Sequence, residues 1–113
     1  MLVQISYAIG QAEPVNFFVN TYGTSKVNAS DAEIAEKLSE VFSLTPFAIE
    51  QRLKLRQPIY EETAAYGHMG RKPKLVTKHF ASKYERKEFS LEVELFTWEK
   101  LDFVDVIKEK FGL

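Results

Sequence analysis

The sequence of 113 residues contains no cysteine. Disulfide bonds, thiolate metal sites and a cysteine nucleophile are therefore excluded for this chain. No apolar run approaches the roughly 20 residues that are needed to cross a bilayer. Residues 1–10 lack the basic segment with which a signal peptide begins, so we expect none. A chain without cysteine fits the cytoplasm, which is the location we expect.

The sequence also lacks an excess of charge of either sign. The 15 basic and 16 acidic residues leave a formal net charge of −1, so no global charge draws the chain to nucleic acid or to a membrane surface. Hydrophobic residues make up 45% and charged residues 27% of the sequence, which is typical of a globular fold. The length suits a single domain over residues 1–113 with one modest core.

Several signatures of a self-contained catalytic site are missing as well. The sequence has no HExxH, no closely spaced pair of histidines, no GxGxxG and no GxxxxGK[ST]. We therefore expect no metal site made by this chain alone and no cradle for the phosphates of a nucleotide.

Alternating apolar residues predict strands in two regions. The first region contains strands over Leu2–Ile9 and Val15–Asn20, joined by a short segment with Gly10 and Pro14 that is typical of a turn. These two strands are expected to pair as a hairpin. In the second region, Phe, Leu and Val alternate with Ser and Glu over Phe89–Leu95, which predicts a further strand.

Local start signals predict two helices between these regions. Ser30 and Glu33 have the spacing of a capping box, which predicts a helix over Asp31–Phe42 with one apolar stripe. Thr45 stands before a proline, as an N-cap stands before the first helical residue, and this predicts a second helix that continues to about Leu53.

A last helix is predicted near the end of the chain. Asp102 is its expected N-cap and Gly112 its expected terminating residue. The order of the elements predicts an α+β fold, in which an antiparallel or mixed sheet is covered by two or three helices.

The two histidines are the first candidates for chemistry. His68 lies between two glycines and three residues before Arg71, so it could act as a base beside a phosphate or a carboxylate. The alternative is a histidine that fixes a turn by hydrogen bonds, and the spacing favours this alternative. His79 lies in a basic segment and is expected to be solvated.

Two pairs of carboxylates are the next candidates. Glu61 and Glu62 are adjacent and diverge on a helix, whereas Glu92 and Glu94 share one face of a strand. Two like charges on one strand face more often mark a solvent-exposed surface than an acid–base pair.

The segment 71–87 is strongly basic. It holds seven lysines and arginines, including Arg86, against the single acidic residue Glu85, and it also contains Phe80 and Tyr84. Basic and aromatic residues together can bind single-stranded nucleic acid. Because the overall charge is balanced, weak nucleic-acid binding is kept only as an alternative to a solvated surface.

Six blocks of the sequence add information that periodicity does not. In order, they are Gln4–Gly10 with Ala12–Pro14, Tyr22–Thr24, Val41–Pro46, Leu53–Tyr60, Thr63–Arg71 and Phe96–Lys100. Together they resemble the C-terminal part of the S-adenosylmethionine synthetase (methionine adenosyltransferase) family. The blocks Leu53–Tyr60 and Thr63–Arg71 are the most specific. Ser43, Thr45 and Met69 depart from the residues that are usual in the family.

The resemblance implies one α+β domain of a three-domain enzyme that joins ATP and L-methionine and releases phosphate and pyrophosphate. It implies two Mg²⁺ ions and one K⁺ ion that balance the phosphate charge, and dimers or tetramers with active sites between subunits. The family's metal-binding, phosphate-binding and catalytic motifs lie upstream of this region. We therefore expect no catalytic residue and no bound metal in this chain, which should be inactive alone and have the remaining domains as partners. The strand pattern that begins at Met1 fits a cut edge.

Two points of the resemblance concern particular residues. Ile9 matches an isoleucine that borders the methionine side chain in the family, and the alternative is a core residue at a strand end. The segment 72–95 has no counterpart in typical members, and we expect an inserted hairpin or helix–strand excursion without an assigned role. A stand-alone binding or assembly module built on the same domain remains the alternative to an enzyme.

Overall fold

The computed structural model of the protein describes residues 1–84 and 87–113, so the predictions that fall on Glu85 and Arg86 lie outside the described residues. The chain divides into two compact units. The first contains Met1–Ile49 and Asp102–Leu113, and the second contains Glu50–Leu101. Strands, helices and one 3-10 turn follow in this order: β1 Leu2–Ser6, β2 Asn16–Asn20, α1 Asp31–Val41, α2 Pro46–Leu53, α3 Tyr60–Thr63, β3 Lys74–Ala81, β4 Glu88–Leu95, the turn Thr97–Glu99, and α4 Val104–Lys110.

The predicted hairpin forms the sheet of the first unit. β1 and β2 pair antiparallel, with Val3 opposite Val19 and Ile5 opposite Phe17. Since side chains alternate along a strand, these four residues share one face of the hairpin. β1 ends at Ser6, three residues earlier than the alternation predicts, and the chain turns at Ile9 and Gly10.

Helix α1 covers that face of the hairpin. Its capping box is present as predicted, since the Glu33 amide donates to the Ser30 hydroxyl and the Ser30 amide donates to the Glu33 carboxylate, at 3.3 and 2.7 Å. Ile34 and Leu38 from α1 form a buried cluster with Val19 from β2. The apolar stripe of the sequence is thus the core-facing side of the helix.

Helices α2 and α4 test two predicted start signals. The predicted span of α2 is confirmed, and the Ala48 amide donates to the Thr45 hydroxyl at 3.2 Å. The prediction for Asp102 is wrong, because the N-cap of α4 is Phe103 and no side chain caps the helix. Asp102 lies one residue ahead of the cap position. Gly112 follows α4 with a φ of +67°, which is the left-handed conformation expected of a terminating glycine.

The second unit is built around the β3–β4 hairpin. These strands pair antiparallel from Lys74 opposite Leu95 to Ala81 opposite Glu88. The buried hydrophobic residues of the unit form one cluster, which consists of Ile59, Val93, Leu95 and Phe96. Val76 and Trp98 pack against this cluster. Segment 72–95 is therefore a hairpin whose inner half contributes to the core.

The α+β class and the antiparallel pairing of the strands are confirmed, and the strands of the described residues form two separate two-stranded sheets. The longest helix in residues 1–84 and 87–113 has 11 residues, and none of these helices is long and apolar enough to cross a membrane.

Candidate functional site

The most specific sequence block forms a loop with unusual backbone angles. Tyr66, Gly67 and Gly70 all have positive φ values, of 61°, 72° and 75°. Glycine adopts this conformation without strain, whereas tyrosine does so at a cost. The Tyr66 side chain is fully exposed, so the bend at this residue is set by the backbone of the loop rather than by burial of its ring.

His68 ties this loop to the 3-10 turn. Its Nδ1 lies 2.5 Å from Oε1 of Glu99, and its ring meets the edge of Trp98 with 6.3 Å between centroids. The structure thus shows the hydrogen-bonded arrangement that fixes a turn. The partner Glu99 was not predicted, although it belongs to the Phe96–Lys100 block.

Arg71 is held by contacts within the second unit. Its guanidinium carbon lies 4.5 Å from the centre of the Phe96 ring, and Nη1 donates to the carbonyl of Ala65 at 3.2 Å. A cation over an aromatic ring is a stabilising contact. Arg71 therefore closes the loop onto the core cluster, which is a structural role.

Glu94 is the most enclosed carboxylate among those with described ion pairs. Its side chain is 11% exposed and lies 2.6 Å from Nζ of Lys100 and 3.5 Å from Nζ of Lys54. The hydrogen bond from Lys100 and the charges of both lysines lower the pKa of Glu94. Glu94 is therefore ionised near neutral pH. The interpretation of Glu92 and Glu94 as a solvent-exposed pair holds for Glu92 only.

The other predicted polar residues lie on α3 and on the hairpin. Glu62 pairs with Nζ of Lys78 at 2.7 Å, and this hydrogen bond lowers the pKa of Glu62. His79 is exposed, as predicted, and its Nδ1 lies 2.7 Å from the hydroxyl of Ser90. Glu61 is exposed on α3. In each predicted carboxylate pair, one member, Glu62 or Glu94, is thus bonded to lysine.

Ile9 lies in the turn after β1, where the Gln11 amide donates to the carbonyl of Ala8 at 3.2 Å. Its side chain is 106% exposed. Ile9 is therefore not part of the core that this chain forms by itself. A fully exposed isoleucine beside a turn is available to contact a ligand or another part of a protein.

The next question is whether the described residues could hold a divalent cation. Within residues 1–84 and 87–113, no group of three or more histidine, aspartate or glutamate side chains is close enough to bind a metal ion. Of the carboxylates described above, Glu94 and Glu62 are already bonded to lysines. The donor set therefore does not fit Mg²⁺.

The fold and the loop define a class of protein: a small α+β domain in which two antiparallel hairpins each pack on helical segments. Residues 1–86 match the family model described as S-adenosylmethionine synthetase, C-terminal domain. The chain belongs to this family.

Curated relatives match the chain over its whole length. An S-adenosylmethionine synthase of Phocaeicola vulgatus is 68% identical over 113 residues, and those of Flavobacterium johnsoniae and Cytophaga hutchinsonii are 63% and 59% identical. Each alignment covers 100% of this chain, and thus segment 72–95, but only 26–27% of the relative. The chain spans about a quarter of the length of these relatives. No finding on the described residues favours the stand-alone module or nucleic-acid binding.

Proposed function

We propose that this chain supplies the C-terminal domain of an enzyme that forms S-adenosylmethionine from ATP and L-methionine and releases phosphate and pyrophosphate. The observation that carries the proposal is the identity of 68% over all 113 residues to a protein named S-adenosylmethionine synthase. In this proposal the catalytic groups and the sites for Mg²⁺ and K⁺ belong to the remaining domains. The enzyme is a cytoplasmic homo-oligomer, either a dimer or a tetramer.

An activity assay tests the proposal directly. The whole polypeptide encoded by the gene should form S-adenosylmethionine from ATP and L-methionine when Mg²⁺ and K⁺ are supplied. The 113-residue chain alone should form none, because its described residues offer no metal site. Absence of product with the whole polypeptide would contradict the proposed reaction. Turnover by the isolated chain would contradict the proposal that the catalytic groups and metal sites belong to the remaining domains.

Within this enzyme we assign Ile9 to the pocket for the methionine side chain. Its exposure supports the assignment, because an isoleucine that is uncovered in its own domain can bury apolar area against a substrate. Ile9→Val removes one methylene from that contact. A hydrophobic pocket discriminates by about 10–200-fold per methylene, so the variant should favour bulkier methionine analogues.

The measurement is kcat/KM for methionine and for an S-alkyl homologue, with the whole enzyme. Ile107→Val is the matched control, because Ile107 packs against the buried cluster of the first unit instead of lying at the surface turn. The control should leave the preference between the two substrates unchanged. Equal preference in wild type and Ile9→Val would exclude Ile9 from the pocket, even if the synthetase reaction itself is observed.

A further inference from the structure

The loop that carries Ile9 has almost no cover within its own unit. β1 ends at Ser6, and the chain returns to the hairpin at Val15, whose amide donates to the carbonyl of Ser6 at 2.8 Å. Residues 7–13 between these two points are all exposed. A loop whose side chains are not buried gains little stability from packing, so other contacts must fix its position.

The tip of this loop is a turn that is fixed locally. The Gln11 amide donates to the carbonyl of Ala8 at 3.2 Å, and Gly10 has a φ of +80°. A left-handed residue at the second central position is typical of a type II turn, in which Ile9 takes the first central position. The turn therefore sets the direction of Ile9 within the loop, but it does not fix the loop on the rest of the unit.

The Tyr7 side chain makes that connection. Its hydroxyl donates to the carbonyl of Leu44 at 2.6 Å, across 37 positions of the sequence, and Tyr7 lies two residues before Ile9. On the other side of the loop, Glu13 and Pro14 line a cleft of about 160 Å³ that Leu44 also lines. Because this cleft leaves space beneath the returning residues, the Tyr7 hydrogen bond is the firmer attachment of the loop to Leu44.

The acceptor of this bond lies in a well-fixed segment between α1 and α2. The Leu44 side chain is buried. The Phe42 amide donates to the carbonyl of Leu38 at the end of α1, and the Thr45 hydroxyl caps α2. Since both neighbouring helix ends are hydrogen-bonded, the Leu44 carbonyl is a rigid point from which the loop can be held.

We propose that Tyr7 is a positioning residue of the methionine pocket, whose hydrogen bond to the Leu44 carbonyl holds Ile9 in place against the methionine side chain. The inference rests on the proposed assignment of Ile9 to that pocket. A pocket wall discriminates against one extra methylene only if it does not retreat, because a displacement of about 1 Å is enough to admit the larger group. Ile9 supplies the wall, and Tyr7 acts through Ile9 without contacting the substrate.

Tyr7→Phe in the whole polypeptide encoded by the gene tests the inference, because it keeps the ring and removes only the hydroxyl. The measurement is kcat/KM for methionine and for an S-alkyl homologue. The preference for methionine should fall by about threefold to tenfold, the size that the loss of one hydrogen bond allows.

Tyr60→Phe is the matched control. The Tyr60 hydroxyl donates to the carbonyl of Leu55, also at 2.6 Å, but this bond lies in the second unit. Both substitutions should lower the Tm by a similar amount, since each removes one hydrogen bond of the same kind. Only Tyr7→Phe should change the preference between the two substrates, so a loss of stability alone does not produce the expected result. An equal change of preference in Tyr60→Phe would overturn the inference.

Hydrogen exchange tests the attachment of the loop without the synthetase reaction. In the whole polypeptide, mass spectrometry should show that the peptide with the Gln11 and Val15 amides exchanges about threefold to tenfold faster in Tyr7→Phe than in the wild type. Tyr60→Phe should leave the exchange of this peptide unchanged. Wild-type exchange in Tyr7→Phe would overturn the inference, whether or not the polypeptide forms S-adenosylmethionine.

A double variant shows whether Tyr7 acts through Ile9. In Ile9→Val the wall is already shortened, so the addition of Tyr7→Phe should change the preference by less than it does in the wild type. Effects of equal size in both backgrounds would overturn the inference. So would a wild-type preference in Tyr7→Phe when Ile9→Val alters it, and that result leaves the assignment of Ile9 standing. An unchanged preference in Ile9→Val contradicts the assignment itself, and the inference falls with it.

Discussion

Removing the side chain of Ile59 should destabilise the second unit strongly. Ile59 is 0% exposed and lies in the cluster with Val93, Leu95 and Phe96, all at most 2% exposed. Ile→Ala substitutions at buried sites cost about 2–5 kcal/mol, as lost burial plus a cavity. Because every cluster neighbour is itself buried, the cavity cannot fill with solvent or collapse readily. We expect Ile59→Ala to lower the free energy of unfolding by about 3–4 kcal/mol, and Ile59→Val by about 1 kcal/mol.

Urea denaturation followed by tryptophan fluorescence measures this loss. The chain contains one tryptophan, Trp98, whose ring packs against the same cluster, with 5.9 Å between its centroid and that of Phe96. The signal therefore reports on the unit that carries the substitution. Leu101→Ala is the control, since Leu101 is 82% exposed in the same unit and should change stability by less than about 0.5 kcal/mol. A loss below about 1 kcal/mol for Ile59→Ala, at an unchanged m-value, would refute the assignment of Ile59 to a close-packed core.

Two further substitutions probe local contacts. Ser30→Ala removes the capping box of α1 and should lower the free energy of unfolding by about 1 kcal/mol, measured by urea denaturation. The control is Ser25→Ala, and an equal effect of the two substitutions would contradict the capping role. Glu94→Gln should reduce acid sensitivity. A carboxyl whose pKa is lowered on folding stabilises the fold above its unfolded pKa of about 4.3, and this contribution is lost as the pH falls through the lower folded pKa. Because Lys54 and Lys100 are partly exposed, this contribution is small. In an acid titration from pH 7 to 3, the free energy of unfolding of the wild type should fall by only about 1 kcal/mol more than that of Glu94→Gln. Identical titrations would contradict the ion-pair network.

Local signals predicted the elements of the first unit well because each signal acts within a few residues. The capping box at Ser30 and the proline after Thr45 both appear as expected. The prediction of Asp102 as an N-cap failed for a comparable local reason, because the helix begins one residue later and its N-cap position is Phe103. A cap residue predicts that a helix starts nearby, but the exact start depends on where the apolar stripe meets the core.

The polar contacts of the second unit could not be predicted in the same way. His68 meets Glu99 across 31 positions of the sequence, and Glu94 meets Lys54 across 40. Alternation along β4 places Glu92 and Glu94 on one face, yet only Glu94 lies within reach of two lysines. Periodicity predicts a shared face, whereas the partners on that face depend on which other segments reach it.

The same distinction applies to the apolar face of β4. Apolar residues alternate evenly along β4, but burial stops between Val93 and Leu91. The cover over the inner half comes from Ile59 and Phe96, and Phe96 faces inward with a left-handed φ of 55°, a conformation that costs about 1–3 kcal/mol in a residue other than glycine. Burial of its ring and the guanidinium of Arg71 offset that cost. No comparable cover among the described residues reaches Phe89. The apolar pattern thus extends further than the core it builds.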